Sequence, residues 1–390
     1  MLVIAMGILL VVLGYVLGIY FIDSGEAGVI LALIVWVILN LVAYFQGDSI
    51  LLSLSKARKI SKDDHPRLYN VVEEMKIASG LPKMPDVYII DDPAMNAFAT
   101  GRDANTASIA VTSGLLQNLN RDELQGVVAH ELAHINNRDV LLMAMCSVLL
   151  GTIVILSWYA SRFLFFGGMG RSRRSSSSGG GSAQLIILVV AIVLMILAPI
   201  FAQLIYFAVS RKREYLADAC SALYTRYPEG LASALEKLAA SPNQLQTATN
   251  ATAPMYTINP FRKKGMAASD FTSTHPPISE RIRILRSMGG ASYGDYDKAY
   301  QQVKKSHSSL ISTADVAASG LVPLRGPSED TKEKETVEQQ IERKRETSDA
   351  VWNSYDYKTI DCDCGTRLRV PPSFRNTMVK CPHCGRLHTV

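Results

Sequence analysis

The run "HELAH" holds residues able to hydrolyse a bond. His130 and His134 are four apart, so on a helix both imidazoles lie on one face, within reach of a single ion. Glu131 sits beside them, and this spacing lets two imidazoles bind zinc while a carboxylate stays free to take a proton from metal-activated water. A helix is expected here. Asn120 can cap it, Glu123 stands at the capping-box position, and Leu124, Val127 and Val128 supply an apolar face. The plain alternative is a solvated His-Glu-His face on an ordinary helix, and a third protein ligand distinguishes the two.

"SRKREYLADAC" offers that ligand. Glu214 and Asp218 are four apart and share a helix face, so one can bind zinc and the other can accept a hydrogen bond from a ligand histidine. Read plainly, they would be salt-bridge partners of the neighbouring arginines. Two histidines and one glutamate make a catalytic set that leaves a position open for water.

The elements that must position these groups include membrane segments. Charged residues make up 19% of the 390 residues, below the usual share of about 25%. The deficit lies in four charge-free runs: residues 1–22, the interval between Glu26 and Asp48, 140–161, and about 185–209. Each reaches the roughly 20 apolar residues that a span needs. The first run lacks a basic start and a small-residue cleavage site before Asp23, so it reads as a retained span. The two zinc-bearing helices each adjoin a span, and a transmembrane hairpin is expected to bring their ligands together near lipid.

Lys56, Arg58, Lys59 and Lys62 follow the second span, and Arg211, Lys212 and Arg213 follow the fourth. The positive-inside rule places both flanks in the cytoplasm. The loop at 162–184, with Arg162, Arg171, Arg173 and Arg174, points the other way, and its Ser/Gly run reads as a flexible linker. The net charge of +5 fits juxtamembrane lysines and arginines better than a nucleic-acid surface.

Domain organisation follows from these spans. Residues 1–48 hold two of them, 49–139 the first part of the hydrolytic domain, 140–210 the transmembrane hairpin and 211–290 the second part. "HPRLYNVVEEMKIASGL" is helical by periodicity and stops at Gly80, "DVYII" alternates as a strand, and "SIAVTSGLLQNL" reads as strand then helix. In "NAFATG", Asn96, Ala97, Phe98 and Ala99 form either an exposed edge strand, to which an extended substrate adds by backbone hydrogen bonds, or a plain loop. His275 stands before Pro276 and Pro277. It either stabilises the oxyanion of a tetrahedral intermediate or caps a helix. Asp139 falls off the ligand face and is expected to pack against Arg211 or Arg213.

"HELAH" with "NNRDV" and a span, then a span with "REYLADA", resembles the HtpX-type membrane metallopeptidases, zinc endopeptidases of the gluzincin type. "AMNAFATG" and "STHPPISERI" add to the likeness, which covers roughly residues 1–290. The resemblance implies that His130, His134 and Glu214 bind zinc, that Glu131 is catalytic and that Asp218 supports a ligand. It also implies membrane-protein quality control, with unfolded or membrane-protein substrates. The fold it implies is an α-helical membrane protein with an α+β zincin-like metallopeptidase domain.

Six cysteines divide cleanly. Cys146 lies inside the third span and Cys220 follows the fourth, while Cys362, Cys364, Cys381 and Cys384 form a metal pattern that suits a reducing compartment. Residues 351–390 are expected to form a small C-terminal zinc ribbon around a second, structural zinc, with His383 a bystander. Residues 291–350 lose hydrophobic periodicity and read as a linker, part of it a solvent-exposed helix. Arg367, Arg369, Arg375 and Lys380 are enough to touch nucleic acid, but a protein-docking role fits at least as well.

The expected protein is a multi-pass endopeptidase of the cytoplasmic membrane, with active site and ribbon facing the cytoplasm. Two rivals differ in class or substrate: a silent membrane adaptor that recruits a partner through its ribbon, and a CAAX prenyl protease, which by resemblance uses more than four spans.

Overall fold

The structure is a computed structural model that describes residues 2–162, 181–246, 256–257, 275–329 and 335–390. Most of the expected Ser/Gly linker lies outside the described residues, as does the side chain of Cys146. Two helices open the chain, α1 (Leu2–Ile22) and α2 (Gly25–Leu54). There follow β1 (Arg58–Lys59), α3 (Pro66–Ser79), β2 (Asp86–Ile90), β3 (Ala97–Thr100), β4 (Ser108–Thr112), α4 (Ser113–Asn118) and α5 (Arg121–Asn136). Then come α6 (Asp139–Arg162), α7 (Gly181–Thr225), α8 (Pro228–Ala240) and α9 (Ile278–Arg286). The C-terminal part holds α10 (Tyr293–Lys304), α11 (Thr313–Ser319), α12 (Val337–Ser354) and strands β5 (Lys358–Asp361), β6 (Arg367–Val370), β7 (Met378–Lys380) and β8 (Leu387–Thr389).

Two units make up the chain. The first is built mainly from Met1–Asp48 and Asp139–Arg213, and the second from Ser49–Arg138, Glu214–Ala268 and His275–Val390. In the first, Leu10 and Leu13 of α1, Ala32 of α2, Met143, Leu149 and Ile153 of α6, and Ala198 and Ala202 of α7 form a buried cluster. Large apolar side chains such as Ile34, Phe45, Ile196 and Phe201 point outward. Helices apolar on both sides belong in lipid. Gly25–Leu54 and Asp139–Tyr159 are long and apolar enough to cross a membrane, while the described apolar stretches elsewhere, Gly7–Tyr20 and Ile192–Leu204, are shorter. Asp139 is buried in an ion pair with Arg213, one of the two partners expected for it.

Helices α1 and α2 meet through small residues. A Cβ on Gly28 would stand 2.2 Å from the Gly14 carbonyl oxygen and 2.5 Å from the Gly18 Cα. Backbone atoms cannot yield there.

The second unit is organised by a four-stranded sheet in the order β1-β2-β4-β3, in which β2 and β4 are parallel and both outer pairs antiparallel. Local chemistry sets the helix ends. His65 Nδ1 accepts from the Leu68 N–H at 3.2 Å, Pro66 opens α3, and Gly80 closes it in the left-handed region at φ 72°. Asn120 and Glu123 form the expected reciprocal capping box on α5. Gly126 lets α8 approach α5, since a Cβ there would fall 2.6 Å from the Leu231 nitrogen.

Two expectations need correction. Strand β3 is the sheet edge in hydrogen-bonding order, but all four of its residues are buried, so it is not an exposed edge; Thr257 donates its N–H to the Ala97 carbonyl there. Residues 291–350 are not a plain linker. Helix α12 buries Arg343, Thr347, Ala350 and Val351, with Arg343 donating to the Gln117 carbonyl at 2.9 Å. Its buried face is half polar, so hydrophobic periodicity could not reveal it. Upstream, Arg325 donates to Asp122 of α5 at 2.9 Å and to the Thr225 carbonyl of α7 at 2.7 Å.

The Gly28→Ala change should cost about 1–3 kcal/mol, because neither flanking backbone can move aside. Gly7→Ala, with nothing within 4 Å of the added carbon, should be neutral within about 0.5 kcal/mol. Thermal unfolding in detergent checks both; equal midpoints would contradict the close approach.

Candidate active site

Helix α5 delivers His130, Glu131 and His134, and the end of α7 delivers Glu214 and Asp218. His130 Nε2 lies 3.6 Å from Glu214 Oε2, and His134 Nε2 lies 3.4 Å from Glu214 Oε1. One donor atom from each of the three residues lies within 4.8 Å of the others. Bonds of about 2.0–2.1 Å to a tetrahedral zinc place its donors about 3.3 Å apart, so this set fits the ion. The opposite nitrogen of His130, Nδ1, is 3.0 Å from Asp218 Oδ1. That contact turns the ring so that Nε2 faces Glu214.

Arg281 of α9 lies beneath these groups, fully buried. Its Nε donates to Asp218 at 2.8 Å, Nη2 to Asp218 at 2.7 Å, and Nη1 to Glu214 and the Thr257 carbonyl, each at 3.2 Å. Arg281 has no signature of its own in the sequence, although it stands within "STHPPISERI". Thr257 likewise gives no signal there, yet its hydroxyl donates to Glu131 Oε1 at 2.7 Å. His275 is buried, with Nε2 3.9 Å from Glu214 Oε1. The first cap of α9 is Pro277, with no side-chain hydrogen bond. His275 therefore is not that helix's cap.

Electrostatics follow from burial and pairing. Burial works against charge on His130 and His134, but bonds to Asp218 and Glu214 for the first, and to Glu214 for the second, outweigh it and raise both imidazoles above 6.5. Burial pushes Glu214 up, but His275, the two histidines and Arg281 hold it well below 4.5. Asp218 is held below 3.8 by Arg281 and His130 against the same burial. The His275 imidazole is lowered below 6.5, first by burial, against the pull of Glu214.

Of the expected substrate strand, Asn96 to Ala99 run beside this site, with Asn96 Oδ1 accepting the Ala97 N–H at 3.1 Å. At the C-terminus, β5 pairs with β6 and β7 with β8. Gly365 and Gly385 take φ values of 81° and 78° just after each cysteine pair. The sulfurs approach one another at 3.4 Å (Cys362–Cys384), 3.5 Å (Cys362–Cys364) and 3.7 Å (Cys364–Cys381). Four thiolates about 2.3 Å from a zinc stand about 3.8 Å apart, so this set also fits a tetrahedral ion. Hydrogen bonds with the side chain and backbone of Thr366 bring Cys364 down to about 5. Arg367 pairs with Asp361 and Asp349, and Arg369 with Asp349, which neutralises two of the four basic residues expected to meet a partner.

In the metal-free chain, the raised His130 and His134 values stabilise the fold fully below about 6.5 and cease to do so as pH rises through the raised values. The depressed Glu214 and Asp218 values contribute above about 4.5 and 3.8 and fade as pH falls through the depressed ones. Chelated protein should therefore lose stability as the pH rises above about 6.5, while the gain on adding zinc grows, since ligand imidazoles must be neutral. Melting curves with and without zinc test this, and a gain that shrinks with rising pH would contradict it.

Residues 62–289 match the family described as Peptidase family M48. A protein named Protease HtpX homolog from Dictyoglomus turgidum is 45% identical over 267 residues, 68% of this chain and 84% of that protein. One of the same name from Dictyoglomus thermophilum is 44% identical over 72% of this chain and 88% of its own length. Another, from Streptococcus uberis, is 39% identical over 74% and 95%. Among solved structures, the crystal structure of S. mikatae Ste24p aligns over 71% of this chain and 62% of that one, at 20% identity and a TM-score of 0.42. The chain belongs to peptidase family M48 and is a metallopeptidase.

Proposed function

We propose that this chain is a multi-pass zinc endopeptidase of the cytoplasmic membrane that cleaves unfolded or membrane proteins in quality control, with its active site and C-terminal module on the cytoplasmic side. The observation that carries the reading is the convergence of His130, His134 and Glu214, each offering a donor atom within 4.8 Å of the others, with Glu131 next to them and outside the set. Those three would hold the ion, and Asp218 and Arg281 would keep two of them in place. When bound, zinc would supply Lewis-acid polarisation and make water acidic enough to attack near neutral pH. Glu131 takes the proton that the attacking water loses and returns it to the leaving amine. His275, buried 3.9 Å from Glu214 Oε1, is assigned the hydrogen bond to the developing oxyanion.

Four spans, counted on charge-free runs, support the multi-pass arrangement, and the lysines and arginines after the second and fourth support cytoplasmic facing. The four cysteines are assigned a structural zinc in a ribbon. Pairing of Arg367 and Arg369 with acids of the same chain favours a protein partner over nucleic acid.

Purified in detergent with zinc, the chain should cleave an unfolded protein substrate, and Glu131→Gln should lower turnover by at least about a hundredfold while retaining zinc. Equal cleavage by both would contradict the assignment.

A further inference from the structure

Thr257 is buried, 2% exposed, and its polar groups each reach a different part of the site. The hydroxyl donates to Glu131 Oε1 at 2.7 Å and lies 3.0 Å from the Ala97 carbonyl oxygen. The N–H donates to that same carbonyl at 2.9 Å, and the Thr257 carbonyl accepts from Arg281 Nη1 at 3.2 Å. Its neighbour Tyr256 is anchored as firmly. The Tyr256 ring meets Phe98 edge to face at 5.2 Å between centroids, and its hydroxyl lies 3.2 Å from Ser55 Oγ.

A glutamate has three side-chain torsions, and fixing such a side chain costs rotamer freedom. A carboxylate that must meet a water and then a leaving amine gains from being held before substrate arrives. Helix α5 fixes only the Cα of Glu131; something else must fix its carboxylate. We propose that Thr257 is a positioning residue for Glu131: its hydroxyl fixes Oε1, and its backbone ties that carboxylate to strand β3 through Ala97 and to Arg281. Thr257 keeps its own proton throughout and acts only through Glu131. The proposal rests on the peptidase reading, in which Glu131 is the base.

The test compares Thr257→Val, which keeps shape and backbone bonds but loses the hydroxyl, with Thr257→Ser, which keeps the hydroxyl. The full chain in detergent cleaves an extended fluorogenic peptide, next to wild type and Glu131→Gln, with zinc content and melting temperature measured on each protein. In Thr257→Val, kcat should fall by roughly tenfold or more while KM stays within about twofold; zinc content should hold, and Thr257→Ser should recover most of the rate. If Thr257→Val is too unstable to purify, Thr257→Ala serves with the same readouts. An unchanged kcat, an equal loss in the serine variant, or a loss that tracks zinc content would overturn the proposal. A rise in kcat would overturn it too, since the hydroxyl would then be obstructing the site. Wild type no faster than Glu131→Gln would sink the peptidase reading and this proposal with it.

Discussion

The site depends on one buried cation. Arg281 has no exposed surface, and an unpaired charge in such a place costs several kcal/mol. Asp218 and Glu214 supply the pairing, and each then has an oxygen facing a histidine. One guanidinium against two carboxylates leaves one negative charge beside two imidazoles. Such a surplus, held away from water, suits a divalent cation. The family membership and the donor geometry thus describe the same centre from two directions.

How much of this could be read from the sequence depended on how each feature is encoded. The paired histidines and the glutamate–aspartate pair obey helical spacing, so their shared faces were legible. So were Gly80 and the Asn120–Glu123 box, whose chemistry is local. Arg281 was not, because in "ISERIRILR" it looks like one of several solvated arginines and only tertiary packing singles it out. Strand β3 was legible as an edge, but part of what covers it, Thr257 on the Ala97 carbonyl and Tyr256 against Phe98, lies about 160 residues further on. The burial of helix α12 hid for a different reason. It packs through Arg343 and Thr347 as much as through Ala350 and Val351, and a half-polar face imitates a solvated one.

The C-terminal region beyond the family match is more closely joined to the peptidase unit than its composition suggests. Arg325 holds the first turn of α5 through Asp122 and the last carbonyls of α7 through Thr225. A cation at a helix C-terminus and a carboxylate at a helix N-terminus both suit the helix dipoles. The two helices so joined are those that carry His130, His134 and Glu214. The extension therefore ties together the two helices that carry these three side chains. Beyond it, two hairpins gather four cysteines, all of them unbridged.

Two zinc ions per chain are proposed, one held by His130, His134 and Glu214 and the other by the four cysteines. Zinc per chain, measured by elemental mass spectrometry on the full-length protein near neutral pH, addresses this proposal most directly. Two ions are expected in the wild type and one in a folded His134→Ala variant. One ion in both proteins would contradict it, for the histidine–glutamate set would then hold none.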